Sequence, residues 1–180
     1  MKIIAVGGVP GTGKTTIVRK IIDRIEDWEV VKPADLLDSI YSPALNLYVL
    51  GKYQPWYTGE GYAQGTDRLS MAVQPKAIEF LQTCKSNILF EGDRLFTQGF
   101  LEACSEIGDL SIFLLNSDKT TLQERYDERG SEQSEQFIRS RATKYSNLGT
   151  NFELMPLIED CPNNNLDEQK IILDKIAEIL

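Results

Sequence analysis

Residues 2–6, Lys-Ile-Ile-Ala-Val, form an apolar run with no polar alternation, too short for an ordinary helix. Such a run predicts a strand covered on both faces, as at the centre of a parallel sheet. From 14 to 27 the period changes. Ile17, Val18, Ile21, Ile22 and Ile25 recur at helical spacing and predict a helix that lays one stripe on that sheet. A second strand is expected over 28–31, ended by Lys32-Pro33. Strand, helix and strand then make a βαβ unit.

Residues 33–61 mix turn formers with the aromatics Tyr41, Tyr48, Tyr53, Trp56 and Tyr57. These rings either cover one edge of the core or wall an acceptor pocket on which a base stacks. A helix is expected over 62–83, with Leu69, Ala72, Val73, Ala77, Phe80 and Leu81 as its stripe and Pro75 as a kink or division. A buried strand over 87–90 follows, then a helix over 99–107 and a strand over 110–115. The next helix, 118–130, is entered by Asn-Ser-Asp and stopped by Gly130. A last strand is expected over 152–158, near an edge because of Pro156, then a loop over 160–165 and an amphipathic helix over 166–180.

The chain has 180 residues, 42% hydrophobic and 26% charged, which suits one globular domain spanning 1–180 with a sheet covered on both faces. No apolar run reaches the length of a membrane span, and Met1-Lys2 leads directly into a core strand, so a cytoplasmic protein without membrane partners is expected. Cys84, Cys104 and Cys161 are dispersed and odd in number, and there is no His to complete a zinc site, so reduced thiols are expected. The absence of His also removes the commonest general base and every Ser-His or Cys-His pair. Catalysis then rests on carboxylates, Lys, Arg and metal. A net charge of −8 argues against a broad basic surface for nucleic acid but leaves room for a local basic groove.

Between the first strand and its helix, Gly8, Gly13, Lys14 and Thr15 match G-x-x-x-x-G-K-[ST] without a mismatch. Backbone amides converge on a phosphate only where no side chain intervenes, which is the use of Gly8, Gly11 and Gly13. Thr12 completes the loop, and the helix that opens near Gly13 adds its positive end. Lys14 can reach the outer phosphates, the Thr15 hydroxyl can ligate Mg²⁺, and Thr16 can hold an inner phosphate. ATP and Mg²⁺ are the cofactors this loop implies. The order of elements around it predicts an α/β fold, a three-layer P-loop NTPase of the nucleoside or nucleotide kinase kind, with a mostly parallel central sheet.

Within that fold several functions compete. A GTPase would show Asn-Lys-x-Asp, whereas Asn116-Ser117-Asp118-Lys119 has the letters in another order. An oligomeric ATPase would end an apolar strand in Asp-Glu, whereas the strand at 87–90 ends in Glu91-Gly92-Asp93-Arg94. A small kinase fits better. The stretch from Gly65 to Phe96 resembles thymidylate kinases, in which an Asp-Arg on a helix is followed by a second Asp-Arg-aromatic motif after a strand. Here the pairs are Asp67-Arg68 and Asp93-Arg94, with the aromatic one place late as Phe96. Residues 109–130 resemble that family's next strand and helix, which lead to an arginine-bearing lid, here about 125–147. Val9 stands where thymidylate kinases commonly carry an acid, and no Arg-Glu-Pro follows the second strand. The size and the segment RSRATKYSNL are also similar to phage kinases that phosphorylate 5-hydroxymethyluracil in DNA, which would place the protein in a host cytoplasm.

The resemblance implies transfer of the γ-phosphoryl group of ATP to a pyrimidine deoxynucleotide-type acceptor. The partner is then a nucleotide-type small molecule or a modified base in DNA, and a homodimer is compatible with it. Lys14 and the metal would stabilise the transferring group, and Arg125, Arg129, Arg139 or Arg141 would close over it. Asp93 would orient or deprotonate an acceptor hydroxyl, with Glu91 as the second choice and an outer metal ligand. Arg94 and Arg68 would clamp a phosphate acceptor, and Asp67 and Asp35 would line its site, Asp35 because ligand-facing loops follow the strands of parallel sheets. Two other readings stay open: a kinase of another small alcohol, and a non-enzymatic ATP-binding regulator. As structural features alone, the Glu-Gly-Asp-Arg cluster is an ion pair at a strand end and the lid cations are solvated helix faces with (i, i+4) pairs.

Overall fold

The computed structural model describes residues 1–53, 66–128, 130 and 135–180. Among these residues seven strands make one sheet in the order β2-β3-β4-β5-β1-β6-β7. They are β1 (Lys2–Gly7), β2 (Glu29–Ala34), β3 (Leu37–Ser42), β4 (Leu47–Leu50), β5 (Asn87–Glu91), β6 (Asp109–Asn116) and β7 (Ile158–Pro162). β1 lies at the centre, parallel to β5 on one side and β6 on the other. β4 is parallel to β5 and β7 to β6, and only β3 runs against its neighbours.

The helices are α1 (Lys14–Ile22), α2 (Val73–Thr83), α3 (Gln98–Ile107), α4 (Lys119–Glu128), α5 (Glu135–Leu148) and α6 (Leu166–Ile179). The two-residue period of β1 sorts them into layers. Ile3 and Ala5 face a core shared with Val73, Ala77 and Leu81 of α2, Phe100, Leu101 and Cys104 of α3, and Tyr145 and Leu148 of α5. Ile4 and Val6 face the opposite core, with Ile17, Val18 and Ile21 of α1 and Ile172, Leu173 and Ile176 of α6. This is the three-layer α/β arrangement, and it leaves the C-terminal ends of β1, β5 and β6 open at one rim, where parallel sheets place ligands.

Several boundaries differ from the sequence pattern. β2 is not the parallel neighbour of β1 but the edge strand, separated from it by β3, β4 and β5. Val30 is half exposed and Pro33 lacks a donor, so β2 suits an edge, while the fully apolar Ile88-Leu89-Phe90 takes the place beside β1. The aromatic stretch holds two strands. Tyr41 and Tyr48 sit opposite each other across β3 and β4, stacked at 4.4 Å, and Phe80 of α2 meets Tyr48 edge-on. Those two rings cover the sheet, whereas Trp56 and Tyr57 lie outside the described residues.

Pro75 does not kink a long helix. It is the third residue of α2, where a missing N–H costs no helical bond. The last strand begins at Ile158, since Pro156 belongs to the 3₁₀ turn Met155–Leu157. α1 stops at Ile22, short of residue 27.

Candidate functional site

The loop from Gly8 to Gly13 connects β1 to α1 at the open rim. Its first helical bond runs from Ile17 N to Gly13 O at 3.0 Å, so the amides of Thr15 and Thr16 precede the hydrogen-bonded ladder, as at any helix start. Thr12 is fully buried and its hydroxyl donates to Val9 O at 2.8 Å, which keeps it within the loop wall. Lys14 Nζ donates to Gly8 O at 2.7 Å and Val9 O at 3.1 Å, folded along the loop it would leave to meet a phosphate.

β5 brings the second set of groups. Glu91 is its last residue, 1% exposed, and its Oε1 accepts from the Thr15 hydroxyl at 3.1 Å and from Tyr53 OH at 3.3 Å. Gly92 follows at φ +96°, a left-handed turn that a side chain would oppose, and this turn brings Asp93 out of the sheet. Thr66 secures the corner by donating to Glu91 O at 2.6 Å. Tyr53 is thus the member of the aromatic stretch that enters the site.

α5 brings the third set. Lys144 Nζ lies 3.0 Å from Asp93 Oδ1, Tyr145 OH donates to the same oxygen at 3.2 Å, and Arg141 Nε lies 3.3 Å from Oδ2. Burial works against the charge on Asp93, but Lys144, Arg141 and Lys14 outweigh it and hold the carboxyl below its ordinary range. Burial, reinforced by the Asp93 charge, pushes the Tyr145 phenol up, so it stays protonated and donates. Arg141, Lys144 and Tyr145 occupy positions i, i+3 and i+4 of one helix face, a spacing visible in the sequence once their common partner is known.

The remaining site residues separate. Arg139 is exposed on α5, and Arg129 lies outside the described residues. Arg125 points away from a closing lid. Its guanidinium donates to Gly11 O at 3.0 Å and Asn163 O at 2.8 Å, against the outer side of the loop. Arg94 adjoins Asp93 and its backbone oxygen accepts from Gln74 at 2.7 Å. Asp67 and Arg68 lie in the 3₁₀ turn Thr66–Arg68, Arg68 exposed. Asp35 sits in the turn between β2 and β3 at the sheet edge, 3.7 Å from Lys32. Phe96, read as the motif aromatic, is buried core. Its ring crosses Gly7 so closely that an added Cβ would lie 2.1 Å from Cζ. Asn163 and Tyr126 carry no signal of a role in the sequence, because their partners are distant backbone oxygens.

The donor set fits a metal carried in on a polyphosphate. Thr15 and Glu91 offer oxygens at one point, and among the described residues no cluster of three or more His, Cys, Asp or Glu would hold a metal alone. Magnesium is usually bound in this manner, by few protein ligands and the phosphates themselves. The thiols take no part: burial pushes Cys104 and Cys161 up to about 12.

A glycine-rich loop between the central parallel strand and a helix, with Lys, Thr and an acid at the neighbouring strand end, defines a P-loop NTPase fold. The model of the family described as P-loop Nucleotide Kinase3 matches residues 1–159, and the chain belongs to that family. Among solved structures it is similar to an unliganded sugar kinase from a Janibacter species, at 12% identity and a TM-score of 0.44, covering 99% of this chain and 93% of that one. It is also similar to Chaetomium thermophilum Kti12 in complex with ADP-AlF3, at 11% identity and a TM-score of 0.47, covering 98% of each chain. No curated protein matches. Among the described residues no helix is long and apolar enough to cross a membrane.

Proposed function

We propose that the protein transfers the γ-phosphoryl group of ATP to a hydroxyl of a pyrimidine deoxynucleotide-type acceptor, either free or as 5-hydroxymethyluracil in DNA. The observation that carries this reading is the ionised Asp93 carboxylate, set between the loop lysine and the cations of α5. An acceptor hydroxyl can donate to that carboxylate and be aligned by it, whereas an acceptor phosphate would meet like charge there.

The work of this chain is positioning and charge neutralisation, as in phosphoryl transfer generally. The loop amides and Lys14 hold the phosphates, while Thr15 and Glu91 are the residues that would hold magnesium. The metal, when bound, supplies positive charge to the phosphate oxygens. In this reading Lys144 and Arg141, both paired with Asp93, would offset the charge that builds up on the departing group, and α5 would exclude water, which favours transfer over hydrolysis.

The test is transfer of labelled γ-phosphate to a panel of pyrimidine nucleosides, nucleotides and hydroxymethylated DNA. Label on a hydroxyl of a panel member is expected. ATP hydrolysis with no panel member labelled would reject the acceptor class.

A further inference from the structure

Every carbonyl of the loop from Gly8 to Gly13 is engaged by a donor outside the loop or by the loop's own buried side chain. Lys14 Nζ takes Gly8 O, and the Thr12 hydroxyl and Lys14 share Val9 O. Tyr126 OH donates to Pro10 O at 2.7 Å, Arg125 to Gly11 O at 3.0 Å, and Asn163 Nδ2 to Thr12 O at 2.7 Å. Gly13 O receives the first helical amide of α1.

Three of these donors come from beyond the motif, two from α4 and one from the segment after β7. They are braced against each other. Arg125 also donates to Ser117 Oγ at 3.1 Å and to Asn163 O at 2.8 Å, and Ser117 donates to the same Asn163 oxygen at 2.9 Å. Asn163 is 1% exposed, and its own amide donates to Asn116 O at the end of β6. The approach is close: a Cβ on Gly11 would lie 2.8 Å from the Tyr126 ring, and one on Gly13 would lie 2.6 Å from Asn163 Nδ2.

The geometry points to Arg125, Tyr126 and Asn163 as positioning residues for phosphate binding, a clamp that fixes the carbonyls of Pro10, Gly11 and Thr12 from outside the loop. The units whose carbonyls Tyr126 and Asn163 hold, at Pro10 and Thr12, turn the Gly11 and Gly13 amides away from those donors, while the unit Arg125 holds at Gly11 closes its Thr12 amide on Val9 O at 3.3 Å and fixes the turn between them, so the clamp sets the cradle before the ligand arrives. Preorganisation of this kind raises affinity by removing the cost of ordering the loop on binding. It also gives α4 a purpose, since that helix has no buried residue and cannot be held by a core stripe. The assignment rests on the nucleotide-binding reading of the loop and adds residues that the sequence motif does not contain.

Calorimetric titration with ATP and with inorganic tripolyphosphate, both with magnesium, tests the clamp in the unaltered protein and in Arg125→Ala, Arg125→Lys, Tyr126→Phe and Asn163→Ala. The clamp acts on the phosphate cradle alone, so each variant should lose the same factor for both ligands. That factor is at least about tenfold for Arg125→Ala and about threefold for Tyr126→Phe, which loses one neutral hydrogen bond. Arg125→Lys should recover little, because an ammonium cannot span the three oxygens a guanidinium fork reaches.

Unchanged affinities in Tyr126→Phe and Arg125→Ala would overturn the clamp, as would a drop in melting temperature with full affinity in the folded protein. A loss for ATP with none for tripolyphosphate would also overturn it, by placing Arg125 at the base or ribose. Should Arg125→Ala fail to fold, Tyr126→Phe decides, since it removes a single oxygen. If the unaltered protein bound neither ligand, the nucleotide-binding reading itself would fall and take the clamp with it.

Discussion

Asp93 is the residue on which β5 and α5 meet, and its neighbours on α5 define what it can do. A carboxylate held ionised by Lys144, Arg141 and Lys14 is a weak base but a good hydrogen-bond acceptor. Asp93→Asn is therefore expected to lower turnover on a hydroxyl acceptor by at least ~100-fold while leaving ATP affinity within about threefold, read by steady-state kinetics and calorimetry. The same substitution has a pH signature. Because the folded carboxyl lies below the unfolded value, its contribution to stability is present above that unfolded value, about 3.9, and is lost as pH falls through the folded one. Urea unfolding at pH 7 should show Asp93→Asn less stable by about 1–2 kcal/mol, and the gap should close on acidification below the carboxylate range. A gap that persists there would assign the loss to packing. The Phe96 ring over Gly7 supports a third expectation: Gly7→Ala should cost about 2 kcal/mol or more by overpacking, and adding Phe96→Leu should recover part of it.

At the scale of elements, β1, β5 and β6 were legible as short apolar runs and α1 and α6 from their helical period, since each packs into one of the two cores or both. β3 and β4 were not. Pro43, Asn46 and the tyrosines gave that stretch the composition of a loop, and its strand character comes from cross-strand pairing, as between Tyr41 and Tyr48. The same limit applies to the site. Lys14, Thr15, Glu91 and Asp93 could be found from local motif and strand ends, whereas Asn163 and Tyr126 bond to backbone oxygens more than a hundred residues away. The helix α6 shows a local rule working as expected: Asn165 Oδ1 accepts from Asp167 N at 3.0 Å and Glu168 N at 2.9 Å. Asn165→Ala should cost about 1 kcal/mol in chemical unfolding, with ATP affinity unchanged.

At the scale of the molecule, two cores on either side of one sheet hold three strand ends at a common rim, and the candidate site residues collect there. Lys14 and Thr15 come from the helix after β1, Glu91 and Asp93 from the end of β5, and Arg125 from the helix after β6. The acidic surface implied by a net charge of −8 leaves these cations as a local exception, suited to a compact polyanion. The most direct test of this arrangement is calorimetric titration of the protein and of Lys14→Ala with ATP, with and without magnesium. Saturable binding that depends on magnesium, and that Lys14→Ala weakens at least ~tenfold, is the expected result. No measurable heat or affinity with millimolar nucleotide, or equal binding by both proteins, would contradict the account.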